Sequence, residues 1–394
     1  MRALVTLSAR FERGPDGRVY PQNPSLTYEI FFKRYLEVFE EILVVARVVR
    51  VKKPASIYPS DGAGVTFIDV PMFSGVLDLM KFLPRIRKIL RQAISDTKAY
   101  FLRVPDFLGS LAYQEIRRLG LPFAVEVVGD PADSLQAGSV RHPLRPLIRH
   151  LAIRQLRAQC AAAAAAAYVT KHVLQERYPP GAHAYTTNYS TINLPESFFT
   201  DKPRQYTAPA RRLVFVGTLE VFYKAPDVLL EALKILADRG IPMHLDVVGD
   251  GRCRPQLEAL VNRLNLNQQI IFHGKVPHQE VSSILDGADL FVLPSRTEGL
   301  PRAMIEAMAR ALPCIGSTAG GIPELLPPED MVPPGDALAL ADKIMEVAQK
   351  PARMTDMSAR NLATAQEYRN EVLQGRRIQF YRHVRELAEK ARKG

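Results

Sequence analysis

The sequence has no tryptophan and only three cysteines among its 394 residues. Cys160, Cys253 and Cys314 stand alone, without metal-ligand spacing, which argues against a disulfide framework or a zinc site. The longest apolar run, 160–169, is mostly alanine and is about half of the ~20 residues that a membrane-spanning helix needs. We interpret this run as part of a closely packed helix. Since the start of the chain resembles a strand rather than a signal peptide, we expect a cytoplasmic protein.

Several common motifs are also missing. The chain has no zinc-protease, P-loop or Ser-His-Asp signature and no Asp-x-Asp metal motif. It has no RNA- or DNA-binding motif and no interleaving of aromatic with basic residues. We therefore expect no bound metal, no cofactor and no nucleic-acid partner.

Positive charge is in excess, with 52 lysines and arginines against 41 acidic residues and a formal net charge of +11. The hydrophobic share of 47% and the charged share of 24% are ordinary for globular proteins, which excludes disordered and fibrous classes. An excess of positive charge favours acidic partners, namely nucleic acid, anionic lipid or a phosphate-bearing substrate. At roughly 150 residues per domain, the chain is long enough for two or three domains.

Strand-like and helical segments alternate regularly after residue 211. This alternation indicates βαβ units and a parallel sheet covered by helices on both faces, whose ligands bind beyond the carboxyl ends of the strands. The predicted strands are 213–216, 244–248, 270–272, 289–293 and 313–316, and predicted helices begin near 226 and cover 255–264, 279–285 and 302–311.

The first half of the chain has a less regular pattern of the same kind. We predict strands at 3–7, 42–49, 65–70, 99–104, 123–128 and 167–170, and helices at 25–40, 75–94, 106–119 and 144–165. A polar, proline-containing stretch at 195–209 predicts a boundary. The predicted fold class is α/β, with two Rossmann-like, doubly wound domains at 1–200 and 201–370 that face a cleft, and a charged helical tail at 371–394.

The segment 294–308 carries the clearest chemical signal. It follows a buried strand and opens a helix, and Pro301 suits a first helical turn because its missing N–H would be unpaired there. The free amides of Arg302, Ala303 and Met304, with the positive end of the helix dipole, form a diphosphate site. One turn further on, Glu306 can accept hydrogen bonds from ribose hydroxyls. Glu298, after the strand, can accept them from sugar hydroxyls.

Glu298 and Glu306 form a Glu-x7-Glu pair that resembles the signature of retaining GT-B glycosyltransferases, most closely family 4. A lone pair at this spacing is a weak signal, but other segments agree with it in the right order. Lys224, after a glycine turn, resembles the family's phosphate-binding lysine. The further matching segments are Phe215-Val-Gly-Thr-Leu219, Val247-Val-Gly-Asp-Gly251, Phe272-His-Gly-Lys-Val276, Ala288-Asp-Leu-Phe-Val-Leu-Pro-Ser295 and Gly320-Gly-Ile-Pro-Glu324.

The resemblance implies a role for each matching residue. Lys224 would neutralise the donor diphosphate and stabilise the departing nucleoside diphosphate, and Glu298 would hold the donor sugar; these are the two catalytic candidates. Glu306 would bind the ribose, and Lys275 and Val276 the base. The resemblance also implies that the C-terminal helix packs back on the first domain. The complete set of predicted donor-binding residues is Gly217, Thr218, Lys224, Gly249, Lys275, Val276, Glu298, Gly299, Leu300, Arg302, Ala303 and Glu306.

Three features depart from the family pattern, and one is that Gly14 and Gly17 in the first loop are separated, where the family commonly has an adjacent glycine pair. The family usually has an arginine after the glycine at 217, where this chain has Thr218, and Arg302 and Arg296 are the nearby candidates to replace that charge. Where the family often has a histidine near the donor sugar, this chain has Gly129 and Asp130. Asp130 is a candidate contact for donor or acceptor and equally a turn or helix-capping residue. Arg103, at the end of another predicted strand, carries the same two interpretations.

Basic residues alternate with apolar ones at 81–91 and 141–157, in the half expected to bind the acceptor. Such segments suit an anionic membrane surface, and helices packed within their own domain would give the same pattern. We therefore predict a retaining, metal-independent glycosyltransferase with a nucleotide-sugar donor and a glycan, lipid-linked or small-molecule acceptor, acting in cell-surface glycan synthesis and peripheral at the inner face of the membrane. The alternatives are a nucleotide-sugar epimerase of the same fold and a non-enzymatic protein that binds membranes or nucleic acid.

Overall fold

The chain folds around two separate β-sheets, each with its own helices. The structure is a computed structural model that describes residues 1–73, 76–135 and 144–391. Among these residues, unit 1 comprises Met1–Ala132, Pro146–Tyr189 and the chain from Gln374 onward. Unit 2 comprises Ser190–Leu373 and the described part of Asp133–Arg145. The predicted domain limits of 1–200, 201–370 and 371–394 stay a prediction.

The sheet of unit 1 is parallel except for one short strand. Its order is β4-β3-β1-β5-β6-β7-β8, and β2 pairs antiparallel with β1. The central strands are buried apolar runs, as expected when helices cover both faces of a sheet. The strands are β1 (Arg2–Arg13), β2 (Val19–Pro21), β3 (Glu41–Arg50), β4 (Val65–Val70), β5 (Ala99–Val104), β6 (Ala124–Val127), β7 (Ala165–Tyr168) and β8 (Tyr185–Asn188). The helices in this part of the chain are α1 (Val76–Ser95), α2 (Phe107–Arg118), α3 (Pro131–Ser134), α4 (Arg145–Ala162) and α5 (Val173–Arg177).

Two predictions for unit 1 were wrong in their secondary structure. The predicted helix at 25–40 is a series of short turns, Pro24–Leu26, Tyr28–Phe32 and Lys33–Glu37. The side chains of Asn23 and Thr27 accept hydrogen bonds from nearby backbone amides, and Thr27 is extended, so the backbone restarts there instead of continuing as one helix. The predicted helix at 144–165 ends at Ala162, and the next part of the alanine run forms the buried strand β7, where small side chains fit between the layers. This strand overlaps the predicted strand at 167–170.

The sheet of unit 2 has the order β11-β10-β9-β12-β13-β14, and all of its strand pairs are parallel. This is the doubly wound order in which the chain starts at the centre, moves to one edge, returns and moves to the other edge. The strands are β9 (Arg212–Val216), β10 (His244–Val248), β11 (Ile270–Gly274), β12 (Leu290–Leu293), β13 (Cys314–Ser317) and β14 (Met331–Val332). The helices of this unit are α6 (Pro226–Asp238), α7 (Arg254–Leu264), α8 (His278–Asp286), α9 (Arg302–Ala309), α10 (Ala337–Ala348) and α11 (Pro351–Gln366). The chain ends with α12 (Asn370–Lys390), which belongs to unit 1 from Gln374 onward.

The last helix, α12, packs on unit 1. The ring of Tyr381 stacks on that of Tyr35, with 4.5 Å between ring centroids, and Arg385 donates a hydrogen bond to the carbonyl of Val38. Tyr35 and Val38, the two residues that α12 contacts here, lie in the segment of short turns before β3. The chain therefore returns to its first unit after completing the second.

Candidate functional site

The order in which successive strands are added to the sheet of unit 2 reverses between β9 and β12, which are parallel neighbours. The loops that follow these two strands leave the same edge of the sheet and run to opposite sides. In doubly wound sheets, ligands bind at this point. Lys224 lies in the first of the two loops and Glu298 in the second.

Lys224 ends a short turn between β9 and α6. Ala225 takes a left-handed conformation (φ 52°) that breaks this turn before α6 begins. Lys224 is 8% exposed, and its Nζ lies 2.5 Å from Oε1 of Glu298. A Cβ at Gly217 would lie 2.4 Å from Cδ of Lys224, so the glycine leaves room for the lysine stem. The glycine turn therefore shapes the position of the lysine.

Further contacts hold Glu298 and the residues next to it in the loop. The Ser295 hydroxyl donates a hydrogen bond to its Oε1 at 3.0 Å, and the Ser317 hydroxyl in turn donates to the carbonyl of Ser295 at 2.5 Å. Gly320 has φ 53°, and a Cβ there would lie 1.8 Å from the carbonyl oxygen of Glu298. The amide of Gly321 donates to the carbonyl of Gly299 at 2.7 Å. Tight backbone packing thus fixes the loop, as catalytic or binding groups require.

Ser295 was not among the predicted site residues. It is fully buried two residues after the end of β12, and its hydroxyl donates a hydrogen bond to the side chain of Glu298. The signal in the sequence was a hydroxyl residue at the end of an apolar strand, which needs a partner when it is buried. The pattern alone could not identify that partner.

Helix α9 begins at Arg302, after Pro301, without a side-chain cap. One detail of the predicted phosphate site was wrong, because the amide of Met304 bonds the carbonyl of Pro301 at 3.2 Å and is not free. Ala303 and Leu300 are half-buried, and Arg302 is exposed. The start of the helix still presents its positive dipole end beside the Glu298 loop.

Glu306 is a half-buried carboxyl group in α9. Loss of water contact raises its pKa from 4.5 to about 7, although the positive charges of Arg302 and Lys224 act in the opposite direction. With a pKa of about 7, the carboxyl group of Glu306 changes its ionisation around neutral pH. A ligand that donates hydrogen bonds to it would favour the ionised form.

The arginine that the family usually has after Gly217 is not replaced by Arg296. Arg296 donates to both carboxylate oxygens of Asp227, at 2.8 and 2.7 Å, and to the carbonyl of Phe222. It therefore stabilises the start of α6. Thr218 is exposed, and its hydroxyl accepts a hydrogen bond from the amide of Glu220.

The turns after β9, β10 and β11 pack against one another. Gly249 has φ 136°, and a Cβ there would lie 1.8 Å from the carbonyl oxygen of Gly217. Its amide donates to the carbonyl of Gly274 at 2.9 Å. Lys275 follows Gly274 and is exposed, and Val276 is half-buried. The structure thus brings Gly217 and Gly249 together at this edge, while a contact of Lys275 and Val276 with a base stays a prediction.

The two candidate residues of unit 1 both have partners within that unit. Asp130 accepts hydrogen bonds from the amide of Ala132, from Arg177 and from the hydroxyl of Tyr178. This pattern is that of a residue organising a turn. Arg103 donates to Glu126 at 2.9 Å, in a buried cluster. Ligand contacts of Asp130 and Arg103 stay predictions.

In the part of the chain that the structure describes, no group of three or more histidine, cysteine, aspartate or glutamate residues could hold a metal ion. No helix within the same ranges is both long and apolar enough to cross a membrane.

Comparisons with known proteins show which sequences and structures this chain resembles. Residues 210–350 match the family described as Glycosyl transferases group 1. Protein CapJ of Staphylococcus aureus is 27% identical over 319 residues, which cover 79% of this chain and 78% of CapJ. The amylovoran biosynthesis glycosyltransferase AmsK of Erwinia amylovora is 32% identical over 181 residues, which cover only 44% of this chain and 44% of AmsK. Sucrose-phosphate synthase of Thermosynechococcus elongatus has a TM-score of 0.72 at 18% identity, covers 98% of this chain and 99% of its own, and shares the fold.

Proposed function

We propose that this protein, which is a group 1 glycosyltransferase with the GT-B fold, transfers a sugar from a nucleotide-sugar donor with retention of configuration, as family 4 enzymes do. The observation that carries this proposal is the buried pair of Lys224 and Glu298 at the point where the strand order of the unit 2 sheet reverses. A cation and a hydrogen-bond acceptor at that point suit a diphosphate linked to a sugar. Glu306, further along α9, suits the ribose.

The reaction would proceed by attack on the face that the leaving group occupies. The bond between the sugar's anomeric carbon and the diphosphate oxygen breaks, and its electron pair stays with the nucleoside diphosphate. The acceptor hydroxyl oxygen forms the new bond to the anomeric carbon, and its proton passes to the departing phosphate. Lys224 would stabilise the negative charge that grows on the diphosphate, which is electrostatic work of the kind that often dominates catalysis.

The charge at the donor site would come from few groups. Thr218 stands where the family usually has an arginine, so one positive charge is missing from the site. Arg296 does not supply it, because its guanidinium pairs with Asp227. Lys224 and the amino-terminal end of α9 are then the principal positive groups near the diphosphate, with the exposed Arg302 as a further candidate. No metal ion is needed in this scheme.

The acceptor would be a glycan or a lipid-linked saccharide of a cell-surface polysaccharide. AmsK is named for amylovoran biosynthesis, and relatives in polysaccharide biosynthesis support this setting. Assembly on a lipid-linked acceptor would place the enzyme at the inner face of the membrane.

One exposed helix face of unit 1 supports attachment to an anionic membrane surface. Leu147, Ile148 and Leu151 form an exposed apolar stripe at helical spacing on α4, and Arg154 is exposed on the following turn. A helix with apolar and basic exposed residues suits the interface of an anionic bilayer. Arg149 does not contribute in the same way, because it donates to the carbonyl of Ala132, and Arg141 lies outside the described residues.

A panel of nucleotide sugars, assayed with and without acceptor saccharides, tests the proposed function. Release of nucleoside diphosphate that needs an acceptor, with a product of retained configuration, is the expected result. Conversion of the donor sugar without an acceptor would identify an epimerase instead. Binding of vesicles or nucleic acid with no turnover would identify a non-enzymatic protein. Lys224→Ala is the control that should lose turnover.

A further inference from the structure

A cluster of buried charged and phenolic side chains lies in unit 1, where α12 covers the sheet. Arg103 of β5 and Glu126 of β6 are direct neighbours in the parallel register, and each is next to last in its strand. The turns before β3 contribute Arg34 and Tyr35, and α12 contributes Tyr381. The cluster is therefore near the carboxyl ends of the strands, the edge at which α/β sheets bind ligands.

Glu126 already has a full set of hydrogen bonds. Its Oε2 accepts from the Tyr35 hydroxyl and from Arg103, both at 2.9 Å. Its Oε1 accepts from the hydroxyls of Tyr189 at 2.7 Å and Tyr381 at 3.4 Å. A carboxylate offers about four acceptor positions, so none is left for a further donor. Burial alone would raise the pKa of Glu126, but the nearby arginines and hydroxyls hold it below its ordinary value, and the group is ionised.

Arg34 is a cation of the same cluster, and two of its donor atoms have no acceptor among the described residues. The residue is 8% exposed, and its Nε and Nη2 atoms are buried with no hydrogen-bond partner in the described parts of the chain. Its guanidinium lies 4.0 Å from the centroid of the Phe31 ring, which stabilises the charge but accepts no N–H hydrogen bond at the guanidinium edge. Buried donors without acceptors are rare and costly in native proteins.

The two atoms without a hydrogen-bond partner, Nε and Nη2, lie on one edge of the Arg34 guanidinium group. Nε and Nη2 point in parallel from this edge, which is the geometry that binds two oxygens of a phosphate or a carboxylate at once. Other cations are close. Arg103 lies over the same Phe31 ring at 4.6 Å. Burial, together with the positive charge of Arg34, lowers the pKa of Arg377 to about 10.

We propose that the Nε–Nη2 edge of Arg34 binds a compact oxyanion, a phosphate or sulfate group, in a buried site of unit 1 beside Arg103 and α12. The anion would supply the two missing acceptors and balance the charge of Arg34. Because it would lie against α12, its binding would also tie the last helix to the first sheet. The site is separate from the Lys224 site and does not depend on glycosyl transfer.

Thermal unfolding with and without inorganic phosphate, in a buffer without other multivalent anions, tests the site. We expect phosphate to raise the Tm of the wild type in proportion to the logarithm of its concentration. Arg34→Met should lose this response at the Arg34 site. In phosphate-free buffer it should raise the Tm by about 2 °C or more, since it replaces a buried cation that has two donor atoms without acceptors with an apolar side chain of similar length. Arg34→Lys keeps the charge and should keep part of the response.

Two controls separate this site from other phosphate effects. Arg91→Met removes an arginine whose side chain is 55% exposed and which pairs with Glu115, and it should change neither result. Lys224 is itself proposed to bind a diphosphate, so the measurements are repeated with Lys224→Ala, in which the response that depends on Arg34 should persist.

Glycerol 3-phosphate distinguishes the source of the oxyanion. Stabilisation by both glycerol 3-phosphate and phosphate would show a site that takes phosphate esters, and stabilisation by phosphate alone would show a closed site for the free anion. The proposal is overturned if Arg34→Met lowers the Tm in phosphate-free buffer and responds to phosphate as the wild type does. That result would mean that the aromatic rings and water satisfy Arg34.

Discussion

Lys224 and Glu298 are 74 residues apart in the chain, yet Nζ lies 2.5 Å from Oε1 and both side chains are about 10% exposed or less. The pair joins the loops that follow the two central strands of unit 2. Neither group is free in the structure, since each neutralises the other. A diphosphate that binds here would give Lys224 a second anionic partner and leave Glu298 able to accept from a sugar hydroxyl.

The first prediction concerns Lys224. Lys224→Ala should lower kcat by ~10²-fold or more and raise the KM for the donor by less, because the lysine stabilises charge that develops as the diphosphate leaves. Steady-state kinetics over a range of donor concentrations measures both values. Lys234→Ala, which removes a surface lysine paired with Asp238 on α6, is the matched control. A Lys224→Ala enzyme with near-normal kcat would rule out this role.

The second prediction assigns a positioning role to Ser295. Ser295→Ala removes the hydrogen bond to Glu298 and should lower kcat about tenfold to a hundredfold, since a bond to a charged group contributes ~1.5–3 kcal/mol. Nucleoside diphosphate affinity, measured by calorimetry, should stay the same.

A double-mutant cycle separates positioning from general destabilisation. In a Glu298→Ala background, Ser295→Ala should have little further effect on kcat, because the residue it positions is gone. Ser317→Ala removes another fully buried hydroxyl, whose hydrogen bond goes to the carbonyl of Ser295 rather than to Glu298. This change should affect stability more than kcat. Additive losses in the cycle would contradict the positioning role.

The third prediction is a pH dependence set by Glu306, whose pKa burial raises to about 7. Ribose hydroxyls donate to the ionised carboxylate, so nucleotide binding should favour proton release. Affinity for the nucleoside diphosphate should then increase as the pH rises through about 7. Glu306→Gln has no such ionisation, and subtracting its profile removes the titration of the phosphate itself. Parallel profiles for the two proteins would refute the ribose contact.

The same pKa shift has a consequence for stability without ligand. The folded state holds the Glu306 proton more tightly than the unfolded state does, so its contribution to the free energy of unfolding is present at low pH. That contribution should decline as the pH rises from about 4.5 to about 7. Denaturant unfolding of the wild type and Glu306→Gln across this range measures the difference.

The fourth prediction concerns the exposed face of α4. The protein should sediment with anionic but not with neutral vesicles and dissociate at high salt, because cations near an anionic surface contribute ~1 kcal/mol each and are screened by salt. Leu147→Ser with Leu151→Ser should weaken this binding. Leu338→Ser changes a leucine of unit 2 with the same 53% exposure and should not. If the wild type stays in the supernatant with anionic vesicles at low salt, the face is ordinary surface and the acceptor is soluble.

Local patterns predicted the alternation of strands and helices and the order of the site loops. Apolar runs and helical stripes depend on neighbours a few residues away, so they can be read from the chain itself. They placed Lys224, Glu298 and Glu306 after strands or at a helix start. The predicted helix at 25–40 failed because side-chain bonds from Asn23 and Thr27 to the backbone outweighed the periodicity.

The sequence by itself determined the fold class and which residues stand beyond the carboxyl ends of the strands, because both follow from short-range periodicity and chain order. Only the tertiary structure decided which of these residues have partners. It paired Lys224 directly with Glu298, to which Ser295 also donates, and it engaged Arg296 with Asp227. It left Nε and Nη2 of Arg34 without an acceptor among the described residues, in the cluster where the acceptor positions of Glu126 are already taken. These outcomes depend on distances between residues far apart in the chain, and such distances are set by how the strands pair and how the layers pack.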